Sequence, residues 1–273
     1  MNEILTIAGW VALGLGVGAY GTLIGAGGGF ILVPVLLFVY PRLSATQVTA
    51  ISLAVVFVNA ISGSIRYSRM RRIDYRSGLV LAAATVPGAV LGAIVVGAIP
   101  RRLFDVIMGA ALILVSLFLL ARPRTSRSLW AESRFTVARA LTDADGKTYA
   151  FRFNLGLAAL FSVGIGFLSS LLGIGGGIIQ VPLLTSFFAF PAHVATATAQ
   201  FALMFTSATG TLTHLLQGVY QPFVRLTLEL AVGVVAGAQV GAALSRRVAS
   251  AVIIRLLAVG LGLVGLRLLL AGA

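Results

Sequence analysis

A short glycine run, Gly25-Ala26-Gly27-Gly28-Gly29, leads into Val33-Pro34, and the chain repeats this once. The second copy is Gly173-Ile174-Gly175-Gly176-Gly177, with Val181-Pro182 at the same distance. Apolar runs flank both copies. Glycine in a helix interior costs about 1 kcal/mol per residue relative to alanine, so each run marks a break between helices. If the breaks lie in lipid, the backbone groups they free must be satisfied by protein or by water in a cavity. Two breaks at matching places predict paired discontinuous helices around a central site.

The surroundings of the breaks put them in lipid. Only 10% of the residues are charged and the mean hydropathy is +1.05, more apolar surface than a soluble core absorbs. Apolar segments fall at 4–22, 30–40, 45–65, 77–99 and 103–121, then at 154–172, 178–190, 194–216, 222–244 and 249–271. The two sets of five agree in order and length. Gly63 answers Gly210, Gly88 and Gly92 answer Gly237 and Gly241, and Arg101-Arg102 answers Arg246-Arg247. The expected fold is an all-α polytopic membrane protein of two homologous halves with broken helices at the glycine motifs. Residues 1–121 form the first repeat, 122–153 a linker and 154–273 the second repeat.

The net charge of +13 comes almost wholly from arginine, with Lys147 the single lysine. These arginines cluster between apolar spans, where they orient the chain and meet anionic lipid headgroups; nucleic acid is not an expected partner. Arg66, Arg69, Arg71, Arg72 and Arg76 follow the third segment, whereas 215–222, its counterpart, carries no basic residue. The linker holds Arg122, Arg124, Arg127, Arg134, Arg139, Lys147 and Arg152. The positive-inside rule then puts equivalent loops on opposite faces, which favours inverted repeats of five segments over parallel repeats of four. Arg101-Arg102 argues the other way. Alternation on both sides of Asp143-Ala144-Asp145-Gly146 predicts a cytoplasmic β-hairpin in the linker. Cysteine is absent, which excludes disulfides and thiolate metal sites. The start of the chain lacks the basic region and cleavage site of a signal peptide, so the first span is expected to stay in the mature protein.

The glycine motifs, with Gly27, Gly28 and Gly29 and with Gly175, Gly176 and Gly177 as candidate binding residues, offer backbone N–H groups where half-helices begin, at Gly28-Gly29-Phe30 and Gly176-Gly177-Ile178. Helix N-termini carry unpaired donors and partial positive charge, which suits a small anion. Neither motif is followed by Gly-Lys-Ser/Thr, so nucleotide binding is not expected. Ser52, Asn59, Gln180, Thr198 and Gln200 are candidates to complete the shell; the competing role for each is a hydrogen bond between helices. Arg66, His214 and Glu229 are candidates for gating or proton coupling, although Arg225 stands one turn before Glu229 as a ready ion-pair partner. The Gly88/Gly92 and Gly233/Gly237/Gly241 ladders read as helix contacts. No hydrolase triad, zinc helix or redox motif is present, so no enzyme activity and no cofactor is expected.

With its doubled glycine motif before Val-Pro and its Ser62-Gly63-Ser64 and Thr209-Gly210-Thr211 steps, the chain resembles the TauE/SafE family, the sulfite exporter or 4-toluene sulfonate uptake permeases. The resemblance implies a secondary transporter of sulfite or small organosulfonates in the cell (inner) membrane, most such proteins being exporters. The family's Gly-Thr-Ser step is replaced here by Ala50-Ile51-Ser52 and Ala197-Thr198-Ala199, which splits the hydroxyl between Ser52 and Thr198. An ion channel or divalent-metal permease, or a scaffold that transports nothing, are the alternatives. The sequence leaves homo-oligomerisation open.

Overall fold

The computed structural model describes residues 3–121, 134–245 and 250–272. Arg122, Arg124 and Arg127 of the linker, and the Arg246-Arg247 pair, lie outside the described residues. Among the described residues, five α-helices precede one hairpin and five follow it. They are α1 (Glu3–Ile24), α2 (Gly29–Val39), α3 (Ala45–Arg69), α4 (Tyr75–Val95), α5 (Arg101–Ala121), α6 (Leu155–Leu172), α7 (Gly177–Ser186), α8 (Ala192–Leu216), α9 (Val224–Leu244) and α10 (Ser250–Gly272). Strands β1 (Thr136–Thr142) and β2 (Thr148–Asn154) lie between α5 and α6.

Among the described residues, α1, α3, α6, α9 and the Tyr75–Ala98 stretch are long and apolar enough to cross a membrane. Large apolar side chains point outward along the helices, among them Leu114, Leu160 and Leu270, as a lipid solvent permits. This is a multi-pass membrane protein. At 1.5 Å per residue α2 and α7 are each only about 15 Å long, half the hydrocarbon core.

Side-chain contacts set the direction of each helix. α2 folds back along α1, with Phe30 against Tyr20 and Tyr40 stacked on Trp10 at 5.7 Å. α1 runs parallel to α9, since Gly14 meets Leu230 and Gly18 meets Val234. α6 runs parallel to α4 in the same manner: Gly166 lies against Thr85, and Gly92 against Phe167 and Leu171. These contacts bring backbone onto backbone, which only small residues allow, and dispersion at that range holds helices together in lipid. At the centre α3 and α8 run antiparallel, with Leu53 beside Gly210 and Asn59 beside Gln200. α5 and α10 are antiparallel too, with Gly109 at Gly265 and Ser116 donating to the Ala258 carbonyl. The pairings thus exchange the first five helices with the last five, and the third and fifth helices of each set run in opposite senses.

The hairpin pairs Thr136 with Asn154 through to Thr142 with Thr148, closing at Gly146, whose φ is +81°. It docks on the loop between α3 and α4. There Asp143 meets Arg72 at 3.4 Å, the Ala144 N–H donates to the Met70 carbonyl, and Arg139 reaches Asp74 and Ser77. Phe151 and Phe153 both pack on Phe190, at the turn into α8. Burial opposes a charge on Asp143. The N–H groups of Lys147 and Asp145, the Arg72 guanidinium and the Tyr149 hydroxyl outweigh it and hold the carboxyl below the ordinary aspartate value.

Candidate anion site

Each glycine in the two motifs has a separate physical reason. Gly25, Gly27 and Gly28 have φ of +74°, +74° and +88°, and Gly173, Gly175 and Gly176 have +67°, +81° and +58°. A side chain at such a position costs about 1–2 kcal/mol. Ala26 and Ile174, which stand between them, are not in that region and carry side chains. Gly29 and Gly177 are glycine for want of space. A methyl on Gly29 would strike the Gly173 carbonyl, and one on Gly177 the Gly25 carbonyl. The two turns therefore cross in direct backbone contact. Both Gly27 and Gly175 lie against Val56 of α3 and Leu203 of α8.

All residues of the two turns are buried. The N–H groups of Gly28, Gly29 and Phe30, and those of Gly176 and Ile178, find no backbone acceptor among the described residues. Unpaired donors at two helix starts, out of reach of bulk water, make an uncharged region of partial positive potential. The turns touch, so a ligand between them requires that they part. An open groove of about 610 Å³ lies between α5 and the α6–α7 pair, with Leu172 and Ile178, which flank the second turn, in its lining. Its lining, including Phe118, Leu172 and Phe187, is wholly apolar and offers an oxyanion no side-chain donor.

The candidate side chains separate into groups. Ser52 donates to the Gly173 carbonyl at 2.6 Å. Asn59 donates to the Gly27 carbonyl at 3.1 Å and accepts from Thr22, while the Gln200 amide reaches Thr22 and the Asn59 carbonyl. Gln180 is buried one turn into α7 with Nε2 unpartnered among the described residues. Thr198 lies apart from the turns and accepts from the Asp74 N–H, near the hairpin. Arg66 ends α3 on the same side, its Nε buried without a partner among the described residues. His214 is fully buried toward the other end, Nδ1 facing Gln217 at 3.1 Å. Glu229 pairs with Arg225, which also binds Glu3.

Three polar residues beside the turns were not among the sequence candidates. Tyr67 donates to the Thr22 carbonyl at 2.8 Å. Ser169 and Ser170 are fully buried, and neither hydroxyl has a partner among the described residues. Their signal was visible as paired serines in an apolar helix directly ahead of the second motif.

The family model described as "Sulfite exporter TauE/SafE" matches residues 10–268. A Bacillus subtilis (strain 168) relative, named probable membrane transporter protein YunE, is 32% identical over 270 residues, 96% of this chain and 97% of its own. A relative from Methanocaldococcus jannaschii, named a probable membrane transporter protein, is 24% identical over 272 residues, 95% of this chain and 94% of its own. No solved structure matches the chain.

Proposed function

The chain belongs to the TauE/SafE family of membrane transporters, and from that premise we propose that it moves sulfite or a small organosulfonate across the cell membrane by alternating access. The observation that carries this reading is the crossing of two buried glycine turns. There the N–H groups of Gly28, Gly29, Phe30, Gly176 and Ile178 have no backbone acceptor among the described residues, while those of Gly27 and Gly177 are taken by the Gly21 and Gly175 carbonyls. A site of this kind binds an oxyanion through neutral dipoles and spares the desolvation cost of a buried cationic partner. The sulfur in the substrate comes from the family alone.

The two halves act as inverted repeats in this proposal. Antiparallel passage of the counterpart helices α3 and α8, and of α5 and α10, supports that arrangement. Rocking one set of helices against the other would part the turns first toward one face and then toward the other. The antiparallel α3–α8 pair, which touches both turns, is the natural pivot.

The test is flux in proteoliposomes loaded with sulfite or methanesulfonate and diluted into sulfur-free buffer. The expected result is anion efflux that saturates with internal concentration and is absent from empty liposomes. Cation flux without anion flux would replace the proposal with a channel or metal permease.

A further inference from the structure

The two turns are alike in backbone and unlike in their polar neighbours. Spacing from Gly25 and Gly173 matches Thr22 to Ser170, and spacing from Gly63 and Gly210 matches Asn59 to Thr206 and Tyr67 to His214. Around the first turn these groups satisfy one another. Thr22 donates to Asn59, Asn59 to the Gly27 carbonyl, and Tyr67 to the Thr22 carbonyl. Gln200 closes the set through its amide donor, and what it leaves over is Oε1, an acceptor of no use to an anion.

Around the second turn the matching groups look elsewhere or find nothing. Thr206 bonds to Thr85 of α4 at 2.7 Å. Ser169 Oγ, Ser170 Oγ, Gln180 Nε2 and His214 Nε2 are all without partners among the described residues, on side chains no more than 2% exposed. Ser169 Oγ is 3.2 Å from where a Gly176 Cβ would lie, beside an N–H that also lacks an acceptor. Ser170 Oγ is 2.8 Å from the corresponding point at Gly210, one helical turn before His214. Gln180 is one turn into α7, and a helical side chain leans back toward its N-terminus. Each unmade buried hydrogen bond costs about 1–3 kcal/mol, and a ligand or ordered water is what offsets that cost for several at once.

We infer that the anion is held at the second turn alone, by the hydroxyls of Ser169 and Ser170, the amide of Gln180 and the N–H groups of Gly176 and Ile178. The first turn also has N–H groups without backbone acceptors, but its polar side chains are spent on one another and offer the anion nothing. This inference rests on the anion-transport reading given above. The donors are all uncharged. Ionic desolvation rises with the square of the charge, so this site takes a singly charged oxyanion such as an alkanesulfonate over divalent sulfate.

The experiment is a thermal-unfolding titration of the full chain in detergent, with methanesulfonate and with sulfate at matched ionic strength. Wild type, the Ser169→Ala/Ser170→Ala double variant and Thr22→Val are compared. The wild type is expected to gain more from methanesulfonate than from sulfate. The double variant, which removes two unmade hydrogen bonds, should melt no lower than wild type without ligand, yet bind methanesulfonate about ten-fold more weakly or worse. Thr22→Val should melt lower without ligand and keep its affinity within about two-fold. A double variant with wild-type affinity, or one that melts well below wild type, overturns the inference. So does a Thr22→Val protein that loses affinity as far as the double variant, or a wild type that prefers sulfate. A wild type that no anion stabilises overturns the anion-transport reading itself.

Discussion

Ser52 of α3 donates its hydroxyl hydrogen to the carbonyl of Gly173, 2.6 Å away and 121 residues later in the chain. The bond ties the central helix of the first half to the opening residue of the second glycine turn. Both residues are fully buried, so neither group has water as a substitute. Ser52→Ala leaves that carbonyl unpaired and should cost about 1–3 kcal/mol. The check is thermal unfolding in detergent, where the midpoint should fall. An unchanged midpoint would show that the bond contributes nothing.

The turn crossing predicts a sharp contrast between glycines. Gly29→Ala drives a methyl into the Gly173 carbonyl and cannot be relieved by a side-chain rotation, so the protein should fail to fold or lose transport. Gly16 of α1 has open space around it. Gly16→Ala should be neutral, or stabilising by up to about 1 kcal/mol through helix propensity. Monodispersity on size-exclusion chromatography distinguishes the two variants. Equal behaviour would sink the steric account.

Acid should loosen the hairpin. Asp143 has its carboxyl held below the ordinary value of 3.8, so its contribution to docking is complete above that value. It is lost as the pH falls through the lower, folded value, because the protonated acid no longer holds Arg72. Protection factors in residues 136–154, which divide out the intrinsic pH dependence of amide exchange, should therefore be lower in acid below the ordinary carboxylate range than at neutral pH in wild type. Asp143→Asn should show the lowered protection at both pH values. A hairpin equally protected at both pH values in wild type would remove Asp143 from this role.

The antiparallel passage of α3 and α8 puts Ser68 and Leu216, both exposed, at opposite ends of the bundle. The chain has no cysteine of its own. Ser68→Cys and Leu216→Cys should each react with an impermeant maleimide from one side of sealed vesicles, and from opposite sides. Labelling of both from one side would rule out inverted repeats.

Much of this was legible in one dimension. Glycine spacing marked both breaks, because a left-handed backbone admits almost no other residue and the requirement shows directly in composition. Hydropathy marked the membrane class and the short segments that became α2 and α7. Alternation around Asp143-Ala144-Asp145-Gly146 has the period of a strand pair, and residues 136–154 form a hairpin. Polar residues were harder to read. Asn59 and Gln200 stood out as amides that lipid would not tolerate, but Thr198, similar on paper, binds the Asp74 N–H near the hairpin.

By itself the sequence determined the membrane class, the two breaks and the residues able to form them, because backbone conformation and hydropathy are local properties. Only the tertiary structure decided that the turns cross in contact, that Gly29 and Gly177 are glycine for lack of space, and that Thr22, Asn59 and Tyr67 satisfy one another while Ser169 and Ser170 do not. Whether a buried hydroxyl has a partner depends on which helices pass it, and that is set by packing between residues far apart in the chain, 37 positions for Thr22 and Asn59 and 121 for Ser52 and Gly173.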